Sequence, residues 1–175
     1  MSIRILLADD HKLIRDGLRV LIASEKDMEV VAEAENGRDA VALVKLYYPD
    51  IVVMDINMPD LNGIEATKKI LEENHDVKVI ALSIHSTDRF VKEMLKAGVS
   101  GYIVKHCAHE ELITAICMVA ENKSCFGFQA IDTVRDGYAG NFSSDNLILP
   151  DTDYFPERRF SAERRSGFDR RCKPR

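Results

Sequence analysis

At 175 residues, with 46% hydrophobic and 30% charged side chains, the chain is long enough for one ordinary domain and a short extension. No apolar run approaches the ~20 residues of a membrane-spanning helix, and the opening MSIRILLADDH breaks its apolar run with two carboxylates, unlike a secretory leader, so a cytoplasmic protein is expected. The net charge of −5 is uneven: residues 155–175 hold eight Lys or Arg against three acids, which makes that tail +5 and leaves −10 on residues 1–154.

Residues 3–8 (IRILLA) form an apolar run of strand length that ends at Asp9 and Asp10. Ile14, Leu18, Leu21 and Ile22 then recur at helical spacing. MEVVAEA (28–34) reads as a second strand, followed by the turn signal Asn36-Gly37 and a helix carrying Ala40, Leu43, Val44 and Tyr47 that stops before Pro49. IVVMDI (51–56) is a continuous apolar strand with a carboxylate near its end; Pro59, Asn62 and Gly63 build the next loop, and Ile64, Thr67 and Ile70 fit a third helix. VKVIAL (77–82) is a fourth strand, Phe90, Val91, Met94 and Leu95 mark a helix ending at Gly98, and GYIVK (101–105) is a fifth strand. A fifth helix runs from Glu110 to about Glu121, with Leu112, Ile113, Ile116 and Val119 inward.

Five strands alternating with five helices predict an α/β fold with a doubly wound parallel sheet. Strands this continuously apolar suit a sheet covered on both faces. The domain is expected to occupy residues 1–123. Residues 124–154, rich in Gly, Ser and Asn, read as a linker with room for one short helix at a weak apolar pattern over 126–134. The tail, 155–175, repeats an acid-Arg-Arg triplet every six residues (Glu157-Arg158-Arg159, Glu163-Arg164-Arg165, Asp169-Arg170-Arg171). Six residues match neither one nor two helical turns, so no helical face collects the arginines and a disordered segment is expected.

In an open parallel sheet, functional groups gather beyond the carboxyl ends of the strands. Those ends carry Asp9 and Asp10, Asp55, Ser83 and Lys105. Converging carboxylates repel unless a cation joins them, and a hard, oxygen-seeking ion such as Mg2+ suits such a site. A carboxylate can also attack phosphorus to give an acyl phosphate, whose charged oxygens need a metal, a Lys and a hydroxyl donor around them. Asp55, Asp9 with Asp10, Lys105 and Ser83 match these roles. Tyr102, read from its strand alone, is a half-buried aromatic on an edge strand. His11 and His85 read as local polar contacts. The cysteines, Cys107, Cys117, Cys125 and Cys172, show no CxxC pairing and read as free thiols, and the spacing of His106, Cys107 and His109 fits no zinc pattern.

The strings LLADDH (6–11), DIVVMDINMPDLNGIEA (50–66), VIALSIH (79–85) and KAGVSGYIVK (96–105), in this order, resemble the receiver domain of bacterial response regulators, and their wording is closest to the NarL-type branch. The resemblance covers about residues 1–123. It implies a flavodoxin-like sheet of order 2-1-3-4-5, with Asp55 as phosphoacceptor, Asp10 as a direct Mg2+ ligand and Asp9 acting mainly through water. It further implies that Asn57 offers its backbone carbonyl to the metal, that Lys105 pairs with the phosphoryl group, and that Ser83 and Tyr102 are the switch pair. Where the family usually follows its Lys with Pro, this chain has His106.

The resemblance implies a sensor histidine kinase or phosphotransfer protein as donor, and an output surface formed by the fourth helix and fifth strand, open to a phosphorylation-dependent dimer. It points to a protein of signal transduction, not an enzyme on a separate substrate. NarL-type receivers commonly precede a helix-turn-helix, which needs about three helices. Residues 124–175 show no second amphipathic series, so the chain reads as a receiver that switches protein interactions. The alternative is a DNA-associated transcriptional regulator with a lost or degenerate DNA-binding module, contacting nucleic acid through the basic tail alone.

Overall fold

Each of the five apolar runs becomes a strand because a helix closes over every face it presents. The computed structural model describes residues 2–84, 88–126 and 147–148. Elements alternate through β1 (Ile3–Ala8), α1 (Lys12–Ala23), β2 (Met28–Ala34), α2 (Gly37–Tyr47), β3 (Ile51–Asp55), α3 (Gly63–Glu73), β4 (Lys78–Ser83), α4 (Asp88–Ala97), β5 (Gly101–Val104) and α5 (Ala108–Ala120), with a 3-10 turn at Lys105–Cys107. Two further strands, β6 (Ser124–Phe126) and β7 (Leu147–Ile148), extend the sheet. Its order is β2-β1-β3-β4-β5-β6-β7, all pairs parallel.

Alternation along the strands divides the core. Leu6, Ala8, Val52, Met54, Val79, Ala81, Tyr102 and Val104 meet Ala40 and Val44 of α2, Ala66 and Ile70 of α3, and Val91, Met94 and Leu95 of α4. Ile5, Leu7, Ile51, Val53, Ile80, Leu82 and Ile103 meet Leu18 and Ile22 of α1 and Leu112, Ala115, Ile116 and Val119 of α5. Each Val, Leu, Ile or Met among them withdrawn from water contributes about 1.5–3 kcal/mol.

Helix ends follow local chemistry. Asn36 and Asn62 cap α2 and α3, their side-chain oxygens accepting the Asp39 and Glu65 backbone N–H groups at 2.8 and 2.9 Å. The Asn36-Gly37 pair thus opens α2. Helix α4 ends at Gly98, whose φ of +94° lets the next N–H, that of Val99, return to the Met94 carbonyl at 3.3 Å.

Beyond residue 123 the structure corrects the linker reading at two places. Ser124–Phe126 is a strand, with Gly101 opposite Cys125 and Tyr102 opposite Phe126, and Leu147–Ile148 pairs beside it. Three residues are too few to show a strand period; the unpaired edge of β5 supplies the ladder. The remainder of 124–154 and the Arg-rich segment 155–175 lie outside the described residues. Among the described residues no helix is long and apolar enough to cross a membrane.

Cys125 lies on the inner side of β6, facing α5, and burial followed by the Glu111 carboxylate pushes its thiol up to about 11. A variant keeping Cys125 as its one cysteine is expected to resist iodoacetamide at about pH 8 while folded and to react once denatured. Rapid native labelling, read by mass spectrometry, would refute this placement of β6.

Candidate functional site

Strand register builds the site. Ala8 lies opposite Met54, so Asp9, the next residue, falls beside Asp55. Asp55 in turn lies opposite Leu82, Ser83 opposite Val104, and Lys105 follows Val104 directly. Four side chains from four strands therefore share one rim, as the strand-end argument predicted.

Asp9 and Asp55 are 1% and 0% exposed, which is rare for carboxylates without a partner. Lys105 is that partner: its Nζ lies 2.7 Å from Asp9 Oδ2 and 2.8 Å from Asp55 Oδ2. Both lengths are those of close ion pairs. One ammonium cannot neutralise two carboxylates. Burial, with the Asp9 charge adding to it, holds the Asp55 carboxyl above the usual carboxylate range, even though Lys105 and the Asn57 N–H oppose that shift. Burial works against the Lys105 ammonium, yet Asp55 and Asp9 outweigh it and raise its pKa.

Asp10 stands at the exposed side of the rim, and Asn57, also exposed, donates its backbone N–H to Asp55 Oδ1 at 3.2 Å. Ser83 and Tyr102 are both fully buried, and a hydrogen bond joins them; burial raises the Tyr102 phenol and that bond opposes the rise. Tyr102 is not half-buried, because β6 covers the strand that the sequence left as an edge. His85 lies outside the described residues.

Two residues around the site, Arg15 and Gly63, were given no site role by the sequence, and His11, expected as a local polar contact, makes such contacts. His11 donates its backbone N–H to Asp9 Oδ1 at 2.9 Å, and its Nδ1 lies 2.7 Å from Asp10 Oδ1. Arg15, 5% exposed, donates from Nη1 to the Asp9 carbonyl at 2.7 Å and from Nη2 to Glu35 at 2.6 Å, tying the rim loop to the end of β2. Its signal was present: Arg15, Leu18 and Ile22 share the buried stripe of α1, where an Arg must find partners. Gly63 starts α3 directly behind the site, donating its N–H to the Ile56 carbonyl at 2.9 Å. An added Cβ there would overlap the Asp55 carbonyl oxygen.

Side-chain atoms of Asp9, Asp10, His11 and Asp55 come within 4.8 Å of one another. The buried Oδ2 atoms of Asp9 and Asp55 lack a full hydrogen bond, and the excess of carboxylate over ammonium makes the donor set suited to a hard divalent cation.

The family model described as response regulator receiver domain matches residues 5–117. The transcriptional regulatory protein DegU of Brevibacillus brevis is 46% identical over 120 residues, 69% of this chain and 51% of that protein. The response regulator UvrY of Escherichia coli (strain K12) is 40% identical over 114 residues, 65% of this chain and 52% of that protein. The chain thus spans about half the length of the curated relatives it matches. Among solved structures, a LuxR-family two-component response regulator from Aurantimonas sp. SI85-9A1 superposes with a TM-score of 0.74 at 32% identity, covering 79% of this chain and 99% of that one.

Two stability measurements test this geometry. Gly63→Ala should cost on the order of 1–3 kcal/mol in denaturant titrations, since the added methyl meets backbone that cannot swing aside. A carboxyl whose pKa is higher folded than unfolded binds more protons when folded, so between the two values stability falls as pH rises. With Asp55 raised above its ordinary 3.8, Asp55→Asn should melt above the parent at about pH 8 in EDTA, the gap closing in acid. A lower melting temperature at pH 8 would mean that the ion pair outweighs burial.

Proposed function

Because the chain belongs to the response regulator receiver family, we propose that it accepts a phosphoryl group on Asp55 and switches protein interactions in two-component signal transduction. The observation that carries this reading is a buried Asp55 carboxylate 2.8 Å from Lys105 at the end of the third strand.

A carboxylate oxygen of Asp55 attacks the phosphorus of a phosphohistidine on a sensor histidine kinase or phosphotransfer protein. The P–N bond breaks as the new P–O bond forms, and the departing imidazole takes its proton from solvent. Lys105, whose ammonium lies within 2.8 Å of the Asp55 carboxylate, would pair with the incoming phosphoryl oxygens. Asp9, Asp10, Asp55 and the Asn57 backbone carbonyl would hold Mg2+, which when bound supplies the positive charge that these carboxylates and the phosphoryl oxygens need. Arg15 keeps the Asp9 loop in place from beneath.

The Ser83 hydroxyl then donates to the acyl phosphate, and Tyr102, hydrogen-bonded to Ser83, carries the shift to the surface of α4 and β5. That surface is where an output protein, or a second phosphorylated copy, would dock. The chain is a signalling protein of this kind, not an enzyme on a separate substrate. A DNA-associated role is the second reading, favoured by the name of the DegU relative and by the basic segment 155–175; it predicts salt-dependent binding to DNA.

Incubated with a labelled phosphodonor and Mg2+, the full chain should incorporate label, and Asp55→Asn should incorporate none. Undiminished labelling of Asp55→Asn would overturn the acceptor assignment. Lys105→Ala should slow the reaction on the order of 10²-fold or more, the usual effect of losing one charge stabiliser, and chelating divalent cations should stop it.

A further inference from the structure

The strand pair after α5 touches the switch. Cys125 donates its N–H to the Ser100 carbonyl at 3.1 Å, and the register that follows sets Phe126 directly beside Tyr102. The approach is close: a Cβ on Gly101 would stand 3.0 Å from the Cys125 carbonyl oxygen. Phe126 is 1% exposed and lies in one cluster with Tyr102 and with Phe90, Val91, Met94 and Leu95 of α4. Tyr102 therefore has Ser83 on the rim side, α4 above it and Phe126 on the side where β5 would otherwise end.

This enclosure has a mechanical consequence. Side chains in a close-packed core do not rotate without displacing a neighbour. For the Tyr102 ring to leave Ser83 and swing outward past β5, Phe126 must yield, and Phe126 sits on a strand of three residues paired to β7 over just two positions. So short a ladder is the weakest part of the sheet, the kind of element that opens locally at low free energy. We propose that Phe126 is a positioning residue for Tyr102 and that β6 with β7 forms a clasp whose closure is coupled to the state of Asp55. Loading Asp55 draws Ser83 toward the rim, holds Tyr102 inward and keeps the clasp shut; the unloaded domain opens it more often. Chain carboxyl-terminal to Ile148 is thereby informed of the state of the rim without passing through the outer surface of α4. The proposal rests on the reading of Asp55 as the acceptor.

Hydrogen exchange of the full chain, followed by mass spectrometry, tests it with and without beryllium fluoride and Mg2+, which load an aspartate as an acyl-phosphate analogue. Exchange in peptides spanning Ser124–Phe126 and Leu147–Ile148 should slow several-fold on loading in the parent and not change in Asp55→Asn. Phe126→Ala, or Phe126→Leu if the alanine variant does not fold, should still take label from a phosphodonor yet lose at least half of the loading effect in these peptides. Protection that appears around Asp55 and Ser83 but leaves 124–126 unchanged overturns the clasp while the acceptor reading stands. No response anywhere on loading overturns both. A full loading effect in the Phe126 variants refutes the role of Phe126.

Discussion

Lys105 lies between Asp9 and Asp55, within 2.8 Å of each, and both of those carboxylates are buried. Removing Lys105 would leave both buried carboxylates without a counter-charge, a loss that typically costs about 3–5 kcal/mol. Yet the group is not self-sufficient. Two carboxylates face one ammonium, with Asp10 nearby, and the Asp55 carboxyl is raised first by its burial and then by the Asp9 charge. A cation or a rearrangement of Lys105 relieves it, which is the property a phosphoacceptor needs: the resting site is held together, but not satisfied.

The surrounding structure keeps this imbalance in place. Three devices act from three directions. The Asn57 N–H orients one Asp55 oxygen, the Arg15 guanidinium grips the Asp9 carbonyl from α1, and Gly63 lets α3 begin against the Asp55 backbone. None of these groups needs to touch a substrate. Each removes a freedom that the carboxylates would use to move apart, so the repulsion stays available for chemistry.

On the other side of the rim, the sheet buries Ser83 and Tyr102 against each other. Ser83 and Tyr102 are neighbours because β4 and β5 pair in parallel, and Tyr102 is enclosed because β6 pairs beyond β5. An edge strand would leave the ring half in water with several rotamers open to it. Covered by Phe126 and α4, the ring cannot turn without displacing a neighbour.

Much of this was readable from the chain alone. Apolar runs of strand length alternating with helical stripes determine a doubly wound parallel sheet, and the residues just past each run, Asp9, Asp10, Asp55, Ser83 and Lys105, are then forced to one rim, because parallel strands all end on the same side. Asn36, Asn62 and Gly98 marked helix boundaries through their own hydrogen-bonding and conformational preferences. Arg15 and Gly63 were harder: Arg15 sits in the buried stripe of α1 but its partners Asp9 and Glu35 are not written in that pattern, and Gly63 acts through the space its missing side chain leaves. Only the tertiary structure decided the fate of Ser124–Phe126 and of Tyr102. A three-residue strand has no pattern of its own; it exists because β5 offers an unpaired ladder, and its existence is what turns an edge tyrosine into a buried one.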